Sequence, residues 1–138
     1  MTPSAAQPEL PAFREKDAVL AVNSALYTAF ESADLDALKA IWLEDDEVSC
    51  IHPGWLPIHG RSAVLRSYAA IMAGTTYIQF FLTDVEVSIA GDTAVVTCTE
   101  NILSEVQGRL SVTAILATNV FERHADGWRM VHHHASHV

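Results

Sequence analysis

The stretch Gly127-Trp128-Arg129-Met130-Val131-His132-His133-His134-Ala135-Ser136-His137-Val138 decides how this chain folds. Residues 128–136 read as a β-strand, and side chains alternate faces along a strand. Val131, His133 and Ala135 therefore share one face, and Met130, His132 and His134 share the other. Three imidazoles in a strand inside a sheet need partners, because a buried polar group is costly unless it is hydrogen-bonded.

Upstream, residues 77–89, 93–106 and 109–123 read as three more strands. They are rich in Val, Ile, Thr and Phe, and Gly91, Gly108 and Gly127 mark the turns between them. If residues 125–127 form a three-residue loop, His124 faces Trp128 and Asn119 lies opposite His133. If Gln107-Gly108 is a two-residue turn, Val106 faces Arg109 and Glu100 lies opposite Ile115. Opposed residues share a face. Glu100, Asn119 and His133 are thus predicted to converge, among Cys98, Ile102, Ile115, Ala117, Phe121, Val131 and Ala135. A carboxylate, an amide and an imidazole on an apolar wall are the makings of a small-molecule pocket. The opposite face carries Val95, Thr97, Thr99, Leu116, Thr118, Val120, Met130, His132 and His134. It is too apolar for open water and too polar for a core, and it suits a homodimer interface.

The first half of the chain is helical in pattern. Residues 1–12 are expected to be a flexible arm, leaving 13–138 as one domain. Ala18, Val22, Ala25, Leu26, Ala29 and Phe30 form one stripe of a long helix from about Ala12 to near Ala33. Asp34 is a good N-cap for a short second helix with Leu35, Leu38, Ile41 and Trp42 on one side. Glu44-Asp45-Asp46-Glu47 reads as a solvated turn, because consecutive carboxylates there do not converge on a metal. Residues 48–52 form a short strand that runs into His52-Pro53-Gly54-Trp55-Leu56-Pro57, a stiff loop whose Trp55 could roof a cavity. Gly60-Arg61 opens a third helix with Val64, Tyr68, Ile71 and Met72 inward. Tyr68 either fills the core or offers its hydroxyl to the pocket. Helices first and an antiparallel meander after make an α+β architecture.

Composition narrows the function classes. Of 138 residues 50% are hydrophobic and 18% charged, which suits one domain with a proper core. The net charge of −9, with eight scattered Lys and Arg, argues against nucleic acid and anionic membranes as partners. No apolar run reaches transmembrane length, and no signal peptide is visible. Cys50 and Cys98 read as buried thiols in a reducing compartment, so a cytoplasmic location is expected. Three readings of the histidines stay open: structural bonding across the sheet, ligand contact by His133, and zinc chelation by His132 and His134. No spacing matches a closed zinc site, so neither metal nor cofactor is expected.

Four motifs then carry a resemblance. They are Cys50-Ile51-His52-Pro53-Gly54-Trp55; Gly60-Arg61 ahead of Val64-Leu65-Arg66-Ser67-Tyr68; Ala117-Thr118-Asn119-Val120-Phe121; and Gly127 through Ser136. In this order, over about residues 14–138, the chain resembles the SnoaL-like branch of the NTF2-like superfamily. The resemblance implies a cone-shaped fold: three N-terminal helices packed on a curved, mostly antiparallel sheet, with a cavity between them, usually as a homodimer. The association domain of calmodulin-dependent kinase is similar too. Its pocket arginines fall at Glu100 and Asn119, and without arginine its preference for anions is not carried over. Relatives include ketosteroid isomerases, polyketide cyclases and dehydratases. The implied function is cofactor-free acid–base chemistry on a small apolar ligand. Glu100 and His133 would be the catalytic groups, Asn119 or Tyr68 would steady an oxyanion, and His52 and Trp55 would contact ligand. The alternative is a non-catalytic ligand-binding or dimerising accessory module.

Overall fold

The long amphipathic segment forms α1 (Ala12–Glu31) in a computed structural model that describes residues 12–138. Apart from Ala12, the arm expected over residues 1–12 lies outside the described residues. The buried stripe of α1 is rotated from the expected one: Val19, Asn23, Leu26, Tyr27 and Ala29 are buried, while Ala25 is exposed. Reading apolar residues alone left out Asn23 and Tyr27. Both turn inward because the sheet supplies hydrogen-bond partners for them. Two bonds fix α1 across the sheet. Near its start Glu15 pairs with Arg123, and at its end the Glu31 carboxylate accepts the Phe80 N–H at 2.7 Å.

Helix α2 (Leu35–Ile41) starts as expected, with the Asp34 carboxylate accepting from the Ala37 N–H at 3.0 Å. Trp42 leaves the helix and bridges Met130, and the Leu43 N–H donates to the Met130 carbonyl. Helix α3 (Arg61–Ala73) buries Val64, Leu65, Ser67 and Tyr68. No helix among the described residues is long and apolar enough to cross a membrane.

The strands are β1 (Ser49–Ile51), β2 (Ile58–His59), β3 (Tyr77–Ala90), β4 (Thr93–Val106), β5 (Arg109–His124) and β6 (Gly127–His137). They make one six-stranded sheet in the order β2-β1-β6-β5-β4-β3. The meander β3 to β6 is antiparallel, and β1 adds to β6 in parallel, Cys50 beside His133. Two-residue β2 is too short to leave a pattern in the sequence.

Register decides which side chains meet. Gln107 and Gly108 both have positive φ, 52° and 77°, as a type I′ turn requires. That turn sets Val106 opposite Arg109 and Glu100 opposite Ile115. The β5–β6 hairpin differs from the expectation in two places. Its loop has two residues, so His124 pairs with Gly127, and Phe121 pairs with Met130. A bulge then leaves Val131 without a partner on β5, and from Val120–His132 onward the expected register returns. Asn119 therefore does lie opposite His133. Met130 does not lie on the outer face with His132 and His134. The bulge turns it inward, fully buried beside Phe121 and Trp42.

The outer face follows from the same pairing. Phe81 opposes Asn101, Asn101 opposes Ala114, Leu103 opposes Val112 and Thr99 opposes Leu116. Phe81, Val112 and Leu116 are 57%, 82% and 49% exposed, a row of apolar side chains open to solvent.

Candidate functional site

A cavity of about 320 Å³ lies between α1, α3 and the inner face of the sheet. Leu26, Tyr27 and Phe30 line it from α1, and Tyr68 and Ile71 from α3. Phe80, Glu100, Ile102, Ile115, His133 and Ala135 line it from the strands. Among the described residues, no lysine or arginine lines it. The loop after β1 adds His52, Pro53 and Trp55. There the Trp55 N–H donates to the His52 carbonyl at 2.9 Å around Pro53-Gly54, with Gly54 at φ 80°. This tight turn sets the Trp55 ring edge-on to the His52 ring, half-exposed at the cavity's edge.

A chain of hydrogen bonds runs along one wall. The Tyr27 hydroxyl donates to Glu100 Oε2 at 2.6 Å. Asn119 Nδ2 donates to the Tyr27 oxygen at 3.1 Å and to Asn23 Oδ1 at 2.8 Å. Asn119 Oδ1 accepts from His133 Nδ1. All five residues are buried. Burial pushes the Glu100 carboxyl up to about 7, against the opposing effect of the Tyr27 hydrogen bond. Burial holds His133 down to about 3, helped by the neighbouring His52, so its ring is neutral. The Tyr27 phenol is raised well above its ordinary value, first by burial and then by Glu100.

A second polar group sits across the cavity. The Ser67 hydroxyl donates to the Val64 carbonyl at 2.6 Å, so its oxygen accepts from His52 Nε2 at 2.9 Å. Burial lowers His52 to about 4. The His52 ring stands edge-on to Tyr68, with centroids 4.9 Å apart, and lies 6.3 Å from the His133 ring. Among the described residues, the buried Tyr68 hydroxyl has only the Cys50 thiol, a weak acceptor, as a polar partner. Burial raises the Cys50 and Cys98 thiols to about 12 and about 11, so neither is a ready nucleophile.

Of the residues singled out in the sequence, Glu100, His133, His52, Trp55 and Tyr68 line the cavity. Asn119 stands behind the wall with its amide wholly engaged by protein, where it positions His133 and Tyr27 rather than meeting a ligand. Asn23, Tyr27 and Ser67 were not anticipated. For Asn23 and Tyr27 the available signal was their i, i+4 spacing on the helix that must cover the sheet. His132 bonds Ser49 on β1 at 2.7 Å, its ring 6.3 Å from that of His134. Among the described residues, no three His, Cys, Asp or Glu side chains are grouped to hold a metal.

Residues 19–138 match the family described as SnoaL-like domain. The F-box protein SKIP8 of Arabidopsis thaliana is 32% identical over 121 residues, 86% of this chain and 49% of that protein. The chain thus spans about half the length of the curated relative it matches. A solved candidate dehydratase of the NTF2-like family from Streptomyces avermitilis is 53% identical, with TM-score 0.84 over 88% of this chain and 94% of that one. A candidate calcium/calmodulin-dependent protein kinase type II association domain from Thiobacillus denitrificans is 35% identical, with TM-score 0.79 over 96% and 99%. An NTF2-like superfamily protein from Salmonella enterica shares the fold at 21% identity, with TM-score 0.85 over 92% and 93%.

Proposed function

The chain belongs to the SnoaL-like domain family of the NTF2-like superfamily, and we propose that it is a cofactor-free acid–base enzyme acting on a small apolar carbonyl or hydroxy compound. The carrying observation is Glu100: a carboxyl raised to about 7 in a mostly apolar cavity that no lysine or arginine among the described residues lines. A group poised near neutral pH can both take and give a proton. His133 offers a neutral imidazole on the same wall, and the Tyr68 hydroxyl can face an oxygen on which charge develops. Isomerisation, cyclisation and dehydration each need one proton removed and one delivered. The likeness to a candidate dehydratase at 53% identity favours dehydration. There, a base takes the proton from the carbon beside a carbonyl, and an acid protonates the departing hydroxyl as water. Glu100 can do both in turn, taking the carbon proton as a carboxylate and passing it to the departing hydroxyl, while neutral His133, its Nδ1–H held by Asn119, orients that hydroxyl.

The reading includes a homodimer formed through the outer face around Phe81, Val112 and Leu116, a cytoplasmic location, and no nucleic-acid or membrane partner. The cone expected from the resemblance would put the cavity at its open end. Turnover of small β-hydroxy ketones by wild type, with Glu100→Gln and His133→Ala each slowing it by about 100-fold or more, supports the enzyme. Turnover that survives both substitutions, or binding with no turnover, overturns it.

One observation favours a second reading. Only about half of the SKIP8 relative corresponds to this chain. A domain used as one part of a longer protein can serve as a non-catalytic ligand-binding or dimerising module, and binding without turnover would select that reading.

A further inference from the structure

We propose that the cavity wall at His133 selects an uncharged ligand by a hydroxyl or N–H that the ligand donates, because Asn23, Tyr27 and Asn119 clamp His133 with a bare lone pair at Nε2. The inference rests on the reading of the cavity as a ligand site and adds the ligand's hydrogen-bonding character.

Donor accounting gives the clamp. Above about pH 7, where Glu100 is ionised, its carboxylate can only accept, so the single hydrogen of Tyr27 goes to it, over 2.6 Å. The Tyr27 oxygen must then accept, and Asn119 Nδ2 supplies one hydrogen at 3.1 Å. The second hydrogen of that amide goes to Asn23 Oδ1 at 2.8 Å. With both hydrogens committed, Asn119 can present only its oxygen to His133 Nδ1. The ring proton therefore sits on Nδ1. Asn119 is 0% exposed and Asn23 1%, so both amides are shielded from solvent. Asn119 lies behind the wall while His133 lines the cavity, so the Nε2 edge is the one that a ligand meets.

His52 reaches the same electronic state by the other nitrogen. Its Nε2–H is spent on Ser67, and Nδ1 meets the Cys50 thiol, a weak donor, at 3.9 Å. Two neutral imidazoles and a carboxyl, with no Lys or Arg lining the cavity among the described residues, disfavour a carboxylate or phosphate and offer an ether no donor at His133. An alcohol, phenol or enol satisfies the bare nitrogen.

The test uses the full chain labelled with 15N-histidine and three probes of one shape: 2-naphthol, 2-methoxynaphthalene and 2-naphthoate. The clamp predicts the Nδ1–H tautomer of His133 at pH 8, where Glu100 is mostly ionised. It predicts 2-naphthol binding about tenfold or more tighter than its methyl ether, and tighter still than naphthoate. Asn23→Ala should free the Asn119 amide to turn, mix the tautomers and reduce the naphthol preference to about threefold or less. An Nε2–H tautomer in wild type, equal or tighter binding of the ether, or no binding of any probe overturns the proposal. The wild-type readings decide it even if Asn23→Ala fails to fold. None of these measurements involves turnover, so failure here leaves the Glu100 assay to stand or fall alone.

Discussion

The Tyr27 hydroxyl donates to Glu100 Oε2 at 2.6 Å, joining the middle of α1 to β4 across 73 residues of chain. It supports the charged form of a carboxyl that burial otherwise holds protonated. Tyr27→Phe should remove that support, raise the Glu100 carboxyl further, and destabilise the protein at pH 8 by about 1.5–3 kcal/mol. Urea denaturation at pH 8 and pH 5 checks this. The loss should be smaller at pH 5, where Glu100 is protonated.

Stability should depend on pH in two opposed limbs. Between 4.5 and about 7 the folded protein keeps a proton on Glu100 that the unfolded chain has lost. This share of stability therefore falls as pH rises, by about 3 kcal/mol in all. His133 and His52, lowered by burial from 6.5 to about 3 and about 4, act the other way. Their share is present above 6.5 and is lost as pH falls. From 4.5 to 6.5 the unfolded chain binds two more protons at these histidines and one fewer at Glu100. Stability should rise with pH by about 1.4 kcal/mol per unit there. Glu100→Gln should roughly double that slope and make the protein more stable than wild type above pH 7. A denaturation series across pH 4.5–8.5 measures both.

Strand parity made much of this wall legible beforehand. Glu100 opposite Ile115 followed from one two-residue turn. Asn119 opposite His133 followed from a loop one residue too long, and the Val131 bulge restores the offset. A bulge is set by local twist and by the packing of Met130 and Trp42 inside, neither of which marks the sequence. Tyr27 and Asn23 stayed hidden for another reason. A polar residue on a helix is read as outward unless its partners are known, and these partners lie 73 and 96 residues away. The parallel pairing of β1 with β6 has no connecting turn to announce it.

The outer face should govern assembly. Val112→Lys and Leu116→Lys together place two charges among exposed apolar side chains, and the proposed dimer should dissociate. Sedimentation of wild type should give twice the 15.0 kDa chain mass, and the double variant one chain mass. Wild type at one chain mass would remove the dimer.

Phe121 is fully buried against Met130, two residues along β5 from Asn119. Phe121→Ala should cost about 3–5 kcal/mol through lost burial and the cavity left behind. Thermal denaturation checks it, with a Tm fall far larger than that for Val112→Ala on the exposed face.

The carboxyl of Glu100 carries the account, and its titration tests it most directly. Carbon-13 spectra of the glutamate carboxyls, with Glu100 assigned by its absence in Glu100→Gln, should give a midpoint near 7. A midpoint near the ordinary 4.5 would mean a carboxylate already charged at neutral pH, and would contradict the proposed proton chemistry.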